Sequence, residues 1–228
     1  MIEASGISKS YGGRPVLSGI DFAAAPGESV VIVGRNGAGK STLLSILAGF
    51  LRPDSGKVSA AKENTAFCPQ EDNLFEELSA ADNLLFWARV RARAAPASAA
   101  MEDSTVTELS ALFGVNEYKH KKVSQLSGGM KKCVAIICAL SNNADVLILD
   151  EPFSGLDIFY KNTLLSAFGR LKSSGKCIIY TSHNIDEILG LDSKVYVLSG
   201  GKLTYIDTLD KDSGYELIRK RLLEYIES

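Results

Sequence analysis

Residues 34 to 42, Gly-Arg-Asn-Gly-Ala-Gly-Lys-Ser-Thr, combine residue types that can hold a chain of phosphate groups. The three glycines allow backbone conformations in which several N–H groups converge on one anion. Lys40 adds a full positive charge that can reach the β- and γ-phosphates, and Ser41 offers an oxygen ligand to Mg²⁺. The spacing fits the P-loop pattern G-x-x-x-x-G-K-[ST], so this stretch predicts that the chain binds a nucleotide.

Two carboxylates, Asp150 and Glu151, directly follow the apolar run from Val146 to Leu149. In an open parallel sheet, ligands bind at the carboxyl ends of the strands. An aspartate there can hold Mg²⁺ directly or through water, and a glutamate beside it can act as general base on a water molecule. The alternative is a pair of surface acids that ends a strand. A P-loop in the same chain favours the catalytic interpretation.

His183 follows another apolar run, Lys176 to Thr181, which predicts a buried strand. A lone histidine is most often structural or solvated. Its position at the carboxyl end of a strand, like that of the two acids, favours a role in the same polar site. His120 lies instead in a basic run, residues 119–122, which is typical of a solvated linker.

Tyr11 and Gln70 are two further candidates for contact with a nucleotide. Tyr11 lies on a predicted turn, residues 11–15, where its ring either stacks on a nucleotide base or closes a hairpin at the surface. The residues alone do not decide between these two roles. Gln70 follows a short predicted strand and begins a long segment, about 73–140, that is almost entirely helical in pattern.

A second pair of glycines, Gly128 and Gly129, follows Ser127 and precedes the apolar run from Val134 to Leu140. Ser127 suits the N-cap of a helix, and glycines after it leave the first N–H groups of that helix uncovered. The segment is therefore a second candidate anion site. The alternative is an ordinary helix start with flexible glycines, which cost stability in a helix interior.

The elements that must position these residues alternate between strands and helices. Ser29 to Val33 is a short, mostly β-branched apolar run that predicts a buried strand before the P-loop. The run after Lys40 has helical spacing to about Ala48. This alternation predicts an α/β fold. Further strands are predicted near residues 2–10, 16–24, 57–60, 65–68, 146–149, 176–181, 193–198 and 202–206. Further helices are predicted near 78–93, 102–113, 158–172 and 213–227, with a loose connection at 92–100.

Composition limits the classes of partner. The 228 residues carry a net charge of −2 and are 46% hydrophobic, which is typical of a globular protein and does not indicate nucleic acid as the main partner. No secretion signal is apparent, and no apolar stretch approaches the ~20 residues of a membrane span, so a membrane role needs a partner that supplies the spans. The cysteines form no C-x-x-C pair and are expected to be small buried hydrophobes in a reduced compartment; they are Cys68, Cys133, Cys138 and Cys177.

Taken together, these segments resemble the ATP-binding subunit of ATP-binding-cassette (ABC) transporters over nearly the whole chain. Leu126 to Met130, Leu-Ser-Gly-Gly-Met, is similar to the signature sequence of that family, which other P-loop families lack. Tyr11 falls where the family has its adenine-stacking aromatic residue, which favours the stacking role. The other matching motifs are the P-loop at 34–42, the Q-loop at Gln70, the Walker B strand with its catalytic glutamate at 146–151, the D-loop at 154–157 and the switch histidine at His183.

The resemblance implies a fold and a division of the chain. The expected architecture is α/β, a P-loop NTPase core with a mixed, mainly parallel sheet, an N-terminal antiparallel β subdomain and an inserted α-helical subdomain. The chain is expected to be a single domain, residues 1–228. Residues 1–70 and 141–228 would form the core with its antiparallel part, and residues 71–140 would form the helical subdomain that carries the signature.

The resemblance also implies a mechanism with ATP and Mg²⁺. Two subunits, identical or different, would form a head-to-tail dimer around two ATP molecules, and hydrolysis would let the dimer open. Lys40 would stabilise phosphate charge, Glu151 would polarise the attacking water and His183 would contact the γ-phosphate. The expected metal residues are Ser41, Gln70 and Asp150. The expected nucleotide-binding residues are Tyr11, Gly34, Arg35, Asn36, Gly37, Ala38, Gly39, Lys40, Ser41, Thr42, Gln70, Ser127, Gly128, Gly129 and Asp150.

Met130 departs from the usual glutamine of the signature, and Lys131-Lys132-Cys133 replaces a more usual arginine-containing run. A methionine followed by basic residues is similar to the ABC-2-type exporters. The resemblance therefore implies an ATPase subunit that drives export through a transmembrane permease and lies in the cytoplasm against the inner face of the membrane. The alternatives are an importer subunit, a non-transport ATP-gated clamp and a binding module without turnover. The cargo is not encoded here, because the permease would recognise it.

Overall fold

The computed structural model describes residues 1–59, 64–91, 104–141, 144–208 and 220. The predicted helix at 213–227 and the predicted connection at 92–100 fall outside the described ranges, apart from residue 220. The strands are β1 (Ile2–Tyr11), β2 (Arg14–Ala24), β3 (Ser29–Val33), β4 (Ser55–Val58), β5 (Thr65–Cys68), β6 (Val146–Leu149), β7 (Cys177–Thr181), β8 (Lys194–Ser199) and β9 (Lys202–Thr208). The helices are α1 (Lys40–Leu47), α2 (Ala80–Arg91), α3 (Ser104–Leu112), α4 (Val115–Tyr118), α5 (Gly128–Leu140), α6 (Ile158–Ser173) and α7 (Ile185–Leu189), with a 3₁₀ turn at Val123–Gln125.

The larger sheet has six strands in the order β5-β6-β7-β3-β8-β9. Its first five strands are parallel, and β9 is antiparallel to β8. The strand before the P-loop, β3, is central and all five of its residues are buried. The ends of β3, β5, β6 and β7 therefore reach one edge of the sheet together, and the P-loop, Gln70, the acid pair Asp150-Glu151 and His183 follow these ends. This mixed, mainly parallel sheet confirms the predicted fold class.

Alternate residues of β3 pack into two separate cores, as the period of two in a strand requires. Val31 and Val33 face the core that includes helices α5 and α6. Val30 and Ile32 face the core built from α1 and the first two strands. Because both faces of β3 are covered, the strand is a continuous apolar run rather than an alternating one.

The smaller sheet is antiparallel and has the strand order β2-β1-β4. Tyr11 was predicted to lie in a turn but ends β1, opposite Arg14. The turn itself is only Gly12 and Gly13, both of which have positive φ, as the tight two-residue hairpin turns require. The strand predicted at 57–60 begins earlier, at Ser55, because an exposed edge strand needs backbone pairing with β1 rather than apolar side chains.

The segment from Ala80 to Leu140 is helical wherever it is described, except for the short connections and the 3₁₀ turn. Helix α5 is its centre, since every residue from Lys132 to Leu140 is buried. Within the described ranges, no helix is both long enough and apolar enough to cross a lipid bilayer.

All four cysteines are buried, which confirms the expectation that they pack as small hydrophobes. Burial raises the pKa of Cys133 to about 12 and that of Cys177 to about 11. Because the thiolate is the reactive form, these two side chains are poor nucleophiles in the folded chain.

Candidate functional site

A polar cleft of about 410 Å³ lies at the edge of the large sheet where the parallel strands end. It brings together residues from the start of the chain, the P-loop, the end of β5, the end of β6 and the end of β7. Tyr11, at the end of β1, is half exposed at its mouth. The lining residues are Tyr11, Val16, Asn36, Gly37, Gly39, Lys40, Ser41, Thr42, Gln70, Glu151 and His183.

The P-loop is shaped by close packing at two of its glycines. A Cβ on Gly34 would lie 2.5 Å from the backbone oxygen of Leu198 in β8. A Cβ on Gly39 would lie 2.8 Å from Val16, and Gly39 also has φ 102°, a left-handed value that disfavours other residues. Gly39 is the N-cap of α1 and has no side chain to cover the first N–H groups of the helix. The start of α1 therefore presents uncovered donors and a positive dipole end to the cleft.

Lys40 is buried, with 8% of its surface exposed, although it carries a charge. Its ammonium group donates to the backbone oxygen of Gly34 at 2.8 Å and to that of Arg35 at 3.2 Å. These carbonyl groups satisfy a charge that would otherwise be costly to bury. The ammonium group is thus held against the backbone of the first two P-loop residues.

The remaining P-loop residues are divided between two hollows. Gly34, Arg35 and Ala38 do not line the main cleft but an adjacent hollow of about 400 Å³ against the end of β8. Asn36 and Gly37 line both hollows. Only part of the predicted nucleotide-binding stretch therefore lines the main cleft, and the rest lines the adjacent hollow.

Asp150 and Glu151 follow β6 and are held by one hydroxyl group. The Oγ1 atom of Thr181 donates to Oδ1 of Asp150 at 2.6 Å and accepts from the backbone N–H of Glu151 at 2.7 Å. Asp150 is only 3% exposed and its N–H donates to the carbonyl of Cys68. Glu151 has φ 47°, a strained left-handed conformation for a residue with a side chain. The backbone is therefore fixed on both sides of the acid pair.

His183 points into solvent beside Glu151. Its side chain is 74% exposed, and its Nδ1 lies 3.8 Å from Oε1 of Glu151, too far for a direct hydrogen bond. Both side chains line the cleft that holds Lys40. A base, an exposed imidazole and a lysine therefore face one polar volume, an arrangement able to orient a water molecule against a phosphoryl group.

The buried carboxylate of Glu187 holds the loop around His183 through hydrogen bonds. The hydroxyl of Ser182 donates to Oε2 of Glu187 at 2.6 Å, and the N–H of Asn184 donates to the oxygen of Ser182 at 3.0 Å. Lys161, from helix α6, donates to Oε1 of Glu187 at 2.8 Å. The segment that carries His183 is thus tied to the helix that follows residues 154–157.

The predicted metal residues are all oxygen donors, which suits Mg²⁺. Ser41 and Gln70 line the same cleft, and Asp150 lies directly before the lining residue Glu151. Across the described residues, no three His, Cys, Asp or Glu side chains cluster as a metal site. The donor set, a hydroxyl, an amide and a carboxylate, fits Mg²⁺, which prefers oxygen ligands and usually keeps several waters.

Ser127, Gly128 and Gly129 are not among the residues that line this cleft. Ser127 is the N-cap of α5, as predicted, and its oxygen accepts from the N–H of Met130 at 3.3 Å. Ser127 and Gly128 are exposed, so the helix start faces outward. Gly129 packs near the backbone oxygen of Gly155, which joins this helix start to the turn before α6.

Sequence reasoning missed Thr181, Glu187 and Lys132, which do not line the cleft but hydrogen-bond to residues that line it or lie next to it. Thr181 was part of a predicted strand, and the available signal was a hydroxyl residue that closes an otherwise apolar run at the carboxyl end. Glu187 and Lys132 carried no such signal, because their partners are distant in sequence. Lys132 donates to the backbone oxygen of Gln70 at 3.0 Å.

Comparison with known proteins gives a consistent result. The family profile described as ABC transporter matches residues 17–154. The linearmycin resistance ATP-binding protein of Bacillus subtilis is 32% identical over 91% of this chain and 69% of its own length. The Nod factor export ATP-binding protein I of Rhizobium etli is 32% identical over 88% of this chain and 66% of its own length.

Solved structures agree with the fold. The structure described as the ATP-binding subunit of an ABC transporter has a TM-score of 0.85 and 25% identity, and the match covers 98% of this chain and 99% of that one. A dimeric bacterial ABC transporter cassette has a TM-score of 0.82 and 24% identity, with 92% and 99% covered.

Proposed function

This chain belongs to the ABC transporter family as an ATP-binding and ATP-hydrolysing subunit, and from that premise we propose that it drives export of a solute through a separate membrane permease. Export is supported by relatives whose names assign them to Nod factor export and linearmycin resistance. Met130 and the two lysines after it, which are similar to those of ABC-2-type exporters, also favour export. The permease recognises the cargo.

ATP binds in the cleft between Tyr11 and the P-loop. The half-exposed ring of Tyr11 stacks on adenine at the mouth, and the N–H groups at the start of α1 hold the phosphates. Lys40 exchanges its bonds to the carbonyl oxygens of Gly34 and Arg35 for bonds to phosphate oxygens. The other residues proposed to contact the nucleotide are Asn36, Gly37, Ala38, Gly39, Ser41, Thr42, Gln70 and Asp150.

Glu151 is the general base. It takes a proton from a water molecule as the water oxygen bonds to the γ-phosphorus and the bond to the β–γ bridging oxygen breaks, which gives ADP and phosphate. His183, 3.8 Å from Glu151, contacts the γ-phosphate. When bound, Mg²⁺ supplies charge neutralisation and is held by Ser41, Gln70 and Asp150.

The active site is completed by a second ATP-binding subunit. Ser127, Gly128 and Gly129 do not line the cleft of their own chain, yet they form an outward-facing helix start suited to an anion. We propose that this helix start binds the γ-phosphate held by the P-loop of the other subunit in a head-to-tail dimer. The γ-phosphate then bridges two chains, and its loss on hydrolysis lets the dimer open.

The permease docks in an apolar hollow of about 190 Å³ between the end of β5 and helices α2 and α5. A contiguous exposed apolar patch, unlike a single exposed side chain, is typical of a surface that binds another protein. Phe50 is 66% exposed, and Phe75 and Phe86 pack edge to face beside Trp87. The hollow is lined by Phe50, Phe67, Cys68, Pro69, Glu71, Asn73, Leu74, Trp87, Ala135, Cys138 and Ala139.

This docking site lies at the boundary between two proposed parts of one domain. We propose residues 1–70 and 141–228 as the ATPase core with its antiparallel sheet and residues 71–140 as the helical part, a division that the structure bears on only in the ranges it describes. Gln70 lies at their junction and lines the nucleotide cleft, while its neighbour Glu71 lines the docking hollow. Docking of the permease would hold the chain against the cytoplasmic face of the membrane.

One observation carries the proposal, namely that Lys40, Glu151 and His183 line the same polar cleft. The test is phosphate release by the purified chain with Mg²⁺ and ATP. Glu151→Gln is expected to lower the rate at least ~100-fold, within the usual contribution of a general base. It is also expected to elute as a dimer with ATP. Glu108→Gln, at a surface ion pair with Arg170, is the control. A normal rate in Glu151→Gln contradicts the assignment of the base.

Export is tested by purification of the tagged chain from membranes of its host. Co-purification of a membrane protein with several spans supports the transport role. Co-purification of a soluble scaffold, without any membrane protein, contradicts it and favours an ATP-gated clamp.

A further inference from the structure

Lys132 is a buried lysine that the proposed catalytic scheme does not use. It is 4% exposed and lies in the second turn of α5, five residues after Ser127. Its ammonium group donates to the backbone oxygen of Gln70 at 3.0 Å and to Oδ1 of Asp72 at 3.3 Å. Burial of a charged group is costly unless the charge is paired and hydrogen-bonded. These two contacts supply both the hydrogen bond and the opposite charge that Lys132 requires.

The preceding lysine offers an internal comparison. Lys131 pairs with Oε1 of Glu76 at 2.9 Å, but this pair is exposed, with side-chain exposures of 25% and 65%. Surface ion pairs contribute little, because water screens them and both side chains lose freedom. Two adjacent lysines on one helix thus differ in burial and partner, and only Lys132 reaches the segment that lines the nucleotide cleft.

Gln70 lies between this lysine and the nucleotide cleft. It contributes to the lining of the cleft, while its carbonyl oxygen accepts from Lys132. Helix α5 is a single continuous element from Gly128 to Leu140, so its start cannot shift without moving Lys132. A displacement of Gln70 is therefore transmitted through one hydrogen bond to the exposed helix start at Ser127.

We infer that Lys132 is a positioning residue that holds Gln70 in the cleft and ties the outward-facing start of α5 to it. The inference rests on the proposed two-subunit site, since the helix start matters only if it contacts a second chain. It assigns a role to the second of the two lysines that follow Met130, where the chain departs from the usual pattern of the family. Asp72 completes the contact by pairing with the charge.

The test compares three variants of the full chain. Lys132→Met keeps the length of the side chain but removes the charge and all donors. Lys132→Arg restores a cation with several donors, and Lys131→Met is the matched control one residue away. Lys132→Met is expected to lower kcat for ATP hydrolysis about tenfold or more, the scale for loss of a hydrogen bond to a charged group. Lys132→Arg and Lys131→Met are expected to stay close to the unsubstituted chain.

Two further measurements separate positioning from general destabilisation. Binding of a fluorescent ADP is expected to be unchanged in Lys132→Met, because the P-loop is intact. In a Glu151→Gln background, ATP-driven dimer formation is expected to weaken about tenfold with Lys132→Met but not with Lys131→Met. If Lys132→Met does not fold, Asp72→Asn serves instead and is expected to lower kcat and weaken dimer formation in the same direction.

The two possible failures are distinguishable. If the unsubstituted chain neither binds ADP nor hydrolyses ATP, the proposed function is wrong. If it hydrolyses ATP but Lys132→Met behaves like Lys131→Met in both kcat and dimer formation, the role of Lys132 is wrong. A loss of ADP binding that parallels the loss of kcat also overturns it, because that result indicates damage to the whole cleft.

Discussion

Thr181 donates a 2.6 Å hydrogen bond from its hydroxyl group to the carboxylate of Asp150, thirty-one residues earlier in the chain. The same oxygen accepts the N–H of Glu151 at 2.7 Å. Thr181 is fully buried and ends β7, the strand beside β6. One hydroxyl group therefore fixes both the proposed magnesium-binding acid and the backbone of the proposed base.

Thr181→Val leaves a carboxylate oxygen of Asp150 and the N–H of Glu151 without their partner, at a cost of about 1–3 kcal/mol for each group. Because these two bonds position the proposed magnesium ligand and the proposed base, ATP hydrolysis is expected to fall at least ~10-fold. Thr181→Ser keeps the hydroxyl and is the matched control. Phosphate release at saturating ATP measures the effect on activity, and urea denaturation measures the free energy of unfolding. Equal rates in the two variants would show that the hydroxyl is not needed.

Mixing two inactive variants tests the composite site. A chain with Ser127→Arg keeps its P-loop, and a chain with Lys40→Ala keeps its helix start, so their heterodimer contains one intact site. Mixed samples are expected to regain ATPase activity that neither variant has alone. The control replaces the second chain with Ser127→Arg/Lys40→Ala, which cannot form an intact site. No recovery, with heterodimers shown to form, would contradict the head-to-tail arrangement.

Glu151 has a left-handed backbone conformation, φ 47°, that is unfavourable for glutamate but is required at the position of the proposed base. A residue that suits this backbone better is therefore expected to keep the folded state stable while it abolishes hydrolysis. Asparagine tolerates this conformation better than other non-glycine residues, whereas a β-branched residue is strained in it by about 1–2 kcal/mol. Glu151→Asn is therefore expected to unfold at a urea concentration no lower than that of the unsubstituted chain, and Glu151→Val at a lower one. Both variants lose hydrolysis. Equal stabilities would show that this backbone conformation carries no strain.

The position of His183 is expected to depend on the carboxylate of Glu187, although the two side chains have no direct hydrogen bond. Glutamine has one acceptor oxygen, so Glu187→Gln cannot keep both the bond from Ser182 and the bond from Lys161. It is expected to lower the free energy of unfolding by about 1.5–3 kcal/mol and to reduce kcat, because the loop around His183 loses its anchor.

The neighbouring acid is the control for this prediction. Asp186 is exposed, and Asp186→Asn is expected to change the free energy of unfolding by less than about 0.5 kcal/mol, as is usual for surface substitutions. Thermal and urea denaturation measure both variants. If the two variants behave alike, Glu187 does not anchor the loop.

The segments that carry Lys40, Glu151 and His183 could be predicted from sequence, because each of them follows a short, mainly apolar run that forms a strand. Parallel strands bring their carboxyl ends to one edge, so these residues share a cleft. The underlying contacts could not be predicted. The bond from Thr181 depends on the register of β6 against β7, in which Leu149 pairs with Tyr180. Register between distant strands leaves no periodic signal in the chain.

The same limit applies to the two lysines after the signature. They are adjacent in sequence, yet Lys132 is buried against Gln70 and Lys131 is only partly buried, paired with the exposed Glu76. Only the rotation of α5 against its neighbours decides which of them is enclosed. Tyr11 illustrates a local error of another kind, since two glycines after it suffice for the turn and extend β1 by one residue.

The placement of β3 also limits when this protein can fold during its synthesis. Both hydrogen-bonding neighbours of β3 come from the last quarter of the chain, since Val30 lies opposite Ile179 in β7 and opposite Lys194 in β8. While the ribosome is still translating the middle of the sequence, this mainly apolar strand has two unpaired edges, the condition that favours aggregation. The nucleotide-binding loop, although translated early, therefore acquires its shape only when Leu198 has left the exit tunnel.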